Sequence, residues 1–408
     1  MTPSRQPTAL AVLRHFLGLG CRAFGGPFVQ IETLHHELVE RAGWVDDDRF
    51  RRALAVYQAL PGPEATEMCI WLGTTVRGRL GGLLAGLGFV LPGLSLMLLA
   101  AFALQSRALP EWCSVGIAGM QGGALALLLR AAFRLVLVNT RKRRLPLAIA
   151  AATLLGAVLE TPFAASLLAG GLLLQIVTLL DRSEPRTGTN WRTRQGLAWL
   201  VVLAWALFVC FAAFGTVAPP ASTVATPSAP PPHLATLANV GLGAGLLTFG
   251  GAYTAIPFLE QAATGAHGWM TDADMLSGIA VGSVLPAPMI VVGTWVGWAG
   301  GGLLGGLVLS LGIFLPAFLF PLWLHGPLER LTMRPSVHAF LDGVAAAVGG
   351  LVVATALQMG VAHTTRFGAL GLCVVAAVAF ALARWRSPWS VPVTMLACAG
   401  TGWLLPKT

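Results

Sequence analysis

AFGGPFVQIE, residues 23–32, interrupts an apolar run that otherwise has the makings of a membrane helix. Gly25, Gly26 and Pro27 stand where that helix would continue, and polar and acidic residues follow the interruption. Glycine permits a positive φ at a sharp reversal, and proline removes a backbone donor while suiting the first turn of a new helix. The stretch therefore predicts a helix that ends at the glycines and restarts at Pro27.

The surrounding chain explains why such a break is noteworthy. Of 408 residues, 56% are hydrophobic and only 11% charged, against about 25% charged in a soluble domain. Apolar runs of roughly 20 residues recur, the length that crosses about 30 Å of hydrocarbon. The composition predicts a multi-span, all-α membrane protein, since helices satisfy their own backbone where no water reaches. The net charge of +9 gathers in short loops, chiefly Arg141–Arg144 and the stretch 181–194. That pattern fits the positive-inside rule rather than nucleic-acid binding. Six cysteines (21, 69, 113, 210, 373 and 398) lack CxxC spacing and read as small buried hydrophobes, without disulfides, metal or cofactor. The N-terminus shows no convincing cleavage site for a removed signal peptide.

The chain is written twice. FGGPFVQIETL, then GW at 43–44 and LPGP at 60–63, are answered by FGGAYTAIPFL, GW at 268–269 and LPAP at 285–288. Phe24 and Phe249, Trp44 and Trp269, and Pro61 and Pro286 share an offset of 225. After one deleted residue the offset is 224, pairing Pro92 with Pro316 and Gly119 with Gly343. The expected organisation is a first repeat at 1–181, a connector at 182–233 and a second repeat at 234–408. The connector holds an extra apolar helix at 195–215 and an uncharged Pro-rich linker at 216–233. With Arg141–Arg144 and the N-terminus in the cytoplasm, spans 82–106, 112–138, 145–159 and 162–181 return the basic loop inside. Helix 195–215 then starts the second copy from the opposite face, and its basic stretches 325–334 and 384–386 fall inside by the same count. The expected architecture is a pair of inverted-topology repeats.

Each copy opens with two broken segments, in copy one 9–42 and 48–80, flanking the charged stretch 40–52. They predict two re-entrant hairpins with tips at Gly25–Pro27 and Pro61–Pro63, matched in copy two by Phe249–Ala252 and Pro286–Pro288. A kinked span is the plainer account of any single break; recurrence at one spacing in both copies favours a site. Helix starts carry about half a positive charge and unpaired donors, and so suit anions. Four starts are expected to meet near the midplane.

At these residues the sequence resembles the chromate ion transporter family of bacterial inner-membrane proteins, over essentially its whole two-copy length. The resemblance implies secondary active export of chromate, a sulfate-like dianion, driven by the membrane potential or proton gradient. It carries signature positions onto Phe24, Gly25, Gly26, Pro27, Trp44, Gln58, Pro61, Gly62 and Pro63, then Phe249, Gly250, Gly251, Trp269, Pro286 and Pro288. Ala252, Ser283 and Ala287 depart from the first copy's proline, glutamine and glycine. Ser283 and Gln58 stand at equivalent places where a neutral donor suits an oxyanion.

Several polar residues stand in this frame. Arg22, one turn before the glycines, is expected to face a cavity or to pair with Glu32, Glu64 or Glu67. Glu64 is a candidate proton carrier as well as a helix-start acid, with Glu67 beside it as a cap; Glu32 and Asp342 are further proton-coupling candidates. Glu32, His35, His36 and Glu37 read as a solvated or gating face rather than a metal site. Gly82, Gly86 and Gly301–Gly306 read as helix-packing patches. No HExxH, GxSxG or Walker pattern occurs, which argues against an enzyme. The competing function is a transporter or passive channel for another small anion such as sulfate. A homodimer is left open.

Overall fold

The structure, a computed structural model, describes residues 7–105, 110–140, 144–158, 161–181, 234–249, 251–332, 334–385, 387 and 389–404. Gly250, Arg141–Arg143 and the connector 182–233, with its expected helix and linker, lie outside the described residues. Every element among the described residues is helical. In the first half α1 (Ala9–Gly20), α2 (Pro27–His35) and α3 (Asp47–Ala59) precede α4 (Glu64–Gln105), α5 (Glu111–Thr140), α6 (Arg144–Val158) and α7 (Phe163–Asp181). The second half has α8 (Leu234–Leu246), a short stretch ending in α9 (Ile256–Glu260), α10 (Asp272–Val284) and α11 (Val292–Leu319). There follow α12 (His325–Thr332), α13 (Pro335–Arg384) and α14 (Ser390–Thr401).

Four stretches are long and apolar enough to cross a membrane: Glu64–Leu104, Trp112–Leu137, Met289–Thr332 and Pro335–Arg384. Large apolar side chains such as Leu80, Leu99, Leu304, Leu311 and Phe380 are more than half exposed. A belt of that kind suits lipid tails as its solvent. The chain is a multi-pass membrane protein.

The second half repeats the first in detail that reaches the backbone. A wide helical turn at His36–Arg41 closes with Trp44 N–H donating to Leu38 O, and one at Gln261–Ala266 closes with Trp269 N–H donating to Ala263 O. At the next helix start the sequences differ but the work is the same. Asp46 accepts from Arg49 N–H at 2.8 Å, while Thr271 forms a reciprocal cap with Asp274. Within α4 the helix breaks at Arg77 (φ −136°) and Gly78 (φ 67°), and within α11 at Gly301 (φ −156°) and Gly302 (φ 61°). Only glycine takes that second conformation without strain. Gly368 (φ 60°) breaks α13 between the counterparts of α5 and α6.

Of the predicted packing glycines, Gly82, Gly86, Gly305 and Gly306 pack closely, whereas Gly302 has no neighbour within 4 Å and serves the helix break instead. A Cβ on Gly86 would lie 2.6 Å from the Phe318 ring, one on Gly82 2.7 Å from Leu322, and one on Gly306 3.0 Å from Leu98. As numbers rise along α4 they fall along α11, so the two helices run antiparallel. Gly82 corresponds to Gly306 and Leu98 to Leu322, so each contact maps onto the other when the halves are exchanged. The α5–α13 pair behaves alike: Gly360 faces Leu125 and Gly349 faces Val136, again with partners exchanged by the 224 offset. The last helix of each half crosses over, with α7 packing on α13 and α14 on α5.

Candidate functional site

Both predicted breaks in copy one interrupt the helices. The α1 helix stops at Gly20, Gly25 and Gly26 take φ of 87° and 82°, and α2 starts at Pro27. Past α3 the chain turns through Pro61, Gly62 (φ 148°) and Pro63 into α4. In copy two Gly251 (φ 118°) leads into Ala252–Ala255, and Pro286–Pro288 leads into Met289–Val291.

The four turns meet in cross-half pairs. Gly62 N–H donates to Thr248 O at 2.8 Å, laying the Pro61–Pro63 turn of one half against the Phe249–Gly251 turn of the other. On the opposite pairing, the Gln30 side-chain amide donates to Ala23 O at 2.8 Å and to Ala287 O at 3.2 Å. It thereby clamps the Gly25–Pro27 turn to the Pro286–Pro288 turn. The Ala287 methyl rests against Gly93 of α4, so the departure from glycine at 287 is absorbed by a glycine opposite. Ala252–Ala255 packs against Met289–Val291, which also touches α4.

Free donors gather at these turns. The amides of Gly25, Gly26 and Val29, of Glu64 and Ala65, and of Met289 and Ile290 have no backbone acceptor among the described residues. Helix starts leave such groups by construction. Phe24, Gly25, Gly26, Pro27 and Pro286 are half-buried, whereas Pro61–Glu64, Phe249, Gly251 and Ala287–Val291 are buried. The accessible part of the cluster is therefore the Gly25–Pro27 turn. A recess beside it is lined by Leu19, Arg22, Phe24, Gln30, Thr33 and Phe89. Phe24 packs against Trp389, ring centroids 5.1 Å apart.

Other expected site residues are placed differently. Arg22 is exposed, not buried, and pairs with none of the three acids; its Nε donates to Gly18 O at 3.0 Å. The helix has already ended, so the long side chain folds back along α1 and keeps its head at the recess mouth. Gln58 is exposed and reaches the Glu64 carboxyl, which is 5% exposed. Ser283 donates to Ala280 O at 2.6 Å, its hydroxyl turned onto its own helix. Glu32 is exposed, and Asp342, also exposed, faces His338 at 3.8 Å. Neither acid joins the cluster. Cys21 and Cys373 are exposed, whereas Cys69 and Cys398 are buried as expected.

The charged stretch of copy one forms a surface knot of ion pairs. His35 Nε2 donates to Asp47 Oδ1 at 2.7 Å, Arg51 Nε to Asp47 Oδ2 at 2.8 Å, and His36 Nδ1 to Glu40 Oε2 at 2.7 Å. The His35 hydrogen bond, with Arg51 behind it, holds the Asp47 carboxyl below its usual range; His36 does the same for Glu40.

The sequence profile described as "Chromate transporter" matches residues 10–176 and 235–403, the two copies. The chain belongs to the chromate transporter family. Among curated relatives of this chromate transporter family member, the chromate transport protein of Pseudomonas aeruginosa is 40% identical over 396 residues, covering 96% of this chain and 91% of that protein. The chromate transport protein of Cupriavidus metallidurans is 26% identical over 356 residues, covering 86% and 82%. No solved structure matches.

Three features of this family member escaped the sequence reading. Gln30 is one, since its role depends on Ala287, 257 residues away. Glu67 is the second: it is fully buried, and neither carboxylate oxygen has a hydrogen-bond partner among the described residues. The third is a cross-half contact at His325. Trp71 Nε1, a donor only, gives its proton to His325 Nε2 at 3.2 Å. His325 Nδ1 therefore carries the ring proton and donates to Tyr57 Oη at 2.8 Å. The one available signal was Glu67's place in the first turn after Pro61–Pro63.

Proposed function

We propose that the chain carries chromate, a tetrahedral dianion, across the bacterial inner membrane by secondary active transport. The reading runs in the export direction, with the N-terminus in the cytoplasm, and it confers chromate resistance. The observation that carries this is the meeting of four broken-helix turns from the two halves, with unpaired amides at three of their helix starts. A dianion needs donors fixed in place, and helix starts supply them together with a favourable dipole. The names of the two curated relatives agree in substrate. Arg22, at the recess mouth, adds a mobile positive charge on the approach.

Inverted insertion of the halves is part of the proposal, and the exchanged contacts support it. A two-fold axis parallel to two helices relates them in the same direction; an axis perpendicular to them relates them in opposite directions. The α4–α11 contacts are antiparallel and self-exchanging. For helices that cross the bilayer, the axis would lie in the membrane plane, the arrangement common in secondary transporters. Each half then offers its turns from its own face, and rocking one against the other exposes the site alternately.

Uptake of labelled chromate into inverted membrane vesicles tests the function. The expected result is uptake that depends on the membrane potential and collapses with an ionophore. Flux with a reversal potential set by chromate alone, unmoved by a proton gradient, would mark a passive channel, and transport of sulfate without chromate would replace the substrate.

A further inference from the structure

Glu67 is used by nothing described so far. It lies on the first turn of α4, 0% exposed, with both carboxylate oxygens unpartnered among the described residues. The carboxylate sits beneath the Pro61–Pro63 turn so closely that a Cβ on Gly62 would run into Oε1. Among the described residues its surroundings offer no countercharge. Glu64 on the same helix is engaged by Gln58. From α3 come the Tyr57 hydroxyl, committed to His325, and Arg49, which lies over the Trp71 ring at 5.8 Å. Gly62 and Thr248 supply the other wall, and Gly62 has already given its N–H to Thr248 O.

A bare carboxylate in such a place is costly unless something neutralises it. A dianion held at the nearby helix starts would raise that cost further, because like charges repel strongly where water is excluded. We infer that Glu67 takes up one proton when the oxyanion binds, so that anion and proton move together in the same direction. This rests on the oxyanion-transport reading above and specifies its coupling. One O–H bond forms on Glu67 as one breaks in a hydronium ion drawn from bulk water; no other reactant is needed. Tyr57 is close enough to feel the charges of both Glu67 and Glu329, and His325 lies 3.9 Å from Glu329.

The sign of the coupling follows from linkage. If protonation of Glu67 tightens anion binding, anion binding must tighten proton binding by the same factor. A dianion with one proton crosses as a single net negative charge. An inside-negative potential drives that charge outward, which is the export direction.

The test is calorimetric titration of the purified full-length protein with chromate near pH 8, where the free anion is a dianion, in two buffers of different ionisation enthalpy. Wild type is expected to take up protons on binding chromate, the uptake rising toward about one per chromate as the pH is raised, and its Kd to weaken by up to about tenfold per pH unit. Glu67→Gln, which keeps the shape and removes the titration, is expected to bind chromate with no proton uptake and a flat pH profile. A folded Glu67→Gln that still takes up the proton overturns the assignment. So does a wild type that binds chromate with no uptake, a result that stands even if the variant fails to fold. Folded wild type that binds no chromate at all removes the transport reading, and this inference with it. Binding without proton linkage removes this inference alone.

Discussion

The Gln30 clamp yields the sharpest single-residue prediction. Gln30 is 3% exposed, and its amide donates to Ala23 O at 2.8 Å and Ala287 O at 3.2 Å, joining the two halves at the accessible turns. Gln30→Leu keeps the volume and removes both donors. Each buried carbonyl left without a partner costs about 1–3 kcal/mol, and loss of Gln30 Oε1, itself unpartnered, offsets about one such penalty. The net loss is about 1–3 kcal/mol, a fall of roughly 1–4 °C in Tm for a chain of this size. Flux should fall further than stability does, by at least about tenfold, since a binding constellation works only when held to within about 0.5 Å. The assays are thermal unfolding in detergent and chromate uptake into inverted vesicles. Thr178→Ala is the control: its hydroxyl donates to Leu174 O within its own helix, away from the turns, and the variant should keep wild-type flux. A Gln30→Leu protein with wild-type flux and Tm would refute the claim that this clamp holds the turns.

Gly26→Leu, at φ 82°, and Gly62→Leu, against Glu67, should each abolish uptake while membrane insertion persists; retained flux would place the anion elsewhere. Asp46→Cys and Thr271→Cys, at matching helix caps of the two halves, should react with an impermeant thiol reagent from opposite sides of the membrane. Labelling from one side would end the inverted arrangement. A short bifunctional thiol reagent should link Gly86→Cys to Phe318→Cys, as the antiparallel α4–α11 contact predicts, and absence of the link would contradict it. Asp47 titrates below the ordinary carboxylate value of about 3.9 because of His35 and Arg51, so its contribution to stability is present above that value and lost as pH falls through the folded one. Asp47→Asn should therefore lower Tm at pH 7, with the difference from wild type vanishing in strong acid; a gap that persists there would mean the pair acts through packing.

The fold was legible in the sequence where local chemistry decides it. Gly25, Gly26 and Pro27 break a helix on their own account, and repetition at 225 residues turns one break into an architecture. The same holds for Gly82 and Gly86, whose lack of a side chain announces a close neighbour. What stayed hidden depends on residues brought together from the two halves. Gln30 looks like an ordinary polar residue until Ala287 is beside it, and Tyr57 until His325 arrives from 268 positions away. Arg22 misled for a related reason. An apolar run suggested burial, but α1 ends at Gly20, and a residue just past a helix end is free to turn its side chain outward. Glu67 stood in plain view next to Glu64, but which of two adjacent acids lacks a partner is a matter of packing that spacing does not reveal.

The most direct measurement is a high-resolution structure of the membrane-embedded protein with an electron-dense tetrahedral dianion such as tungstate. The account predicts one density within hydrogen-bonding distance of the Gly25 and Gly26 amides, beside Pro286, and its loss in Gly26→Leu. A dianion seated away from those turns, or density that persists unchanged in the variant, would contradict it.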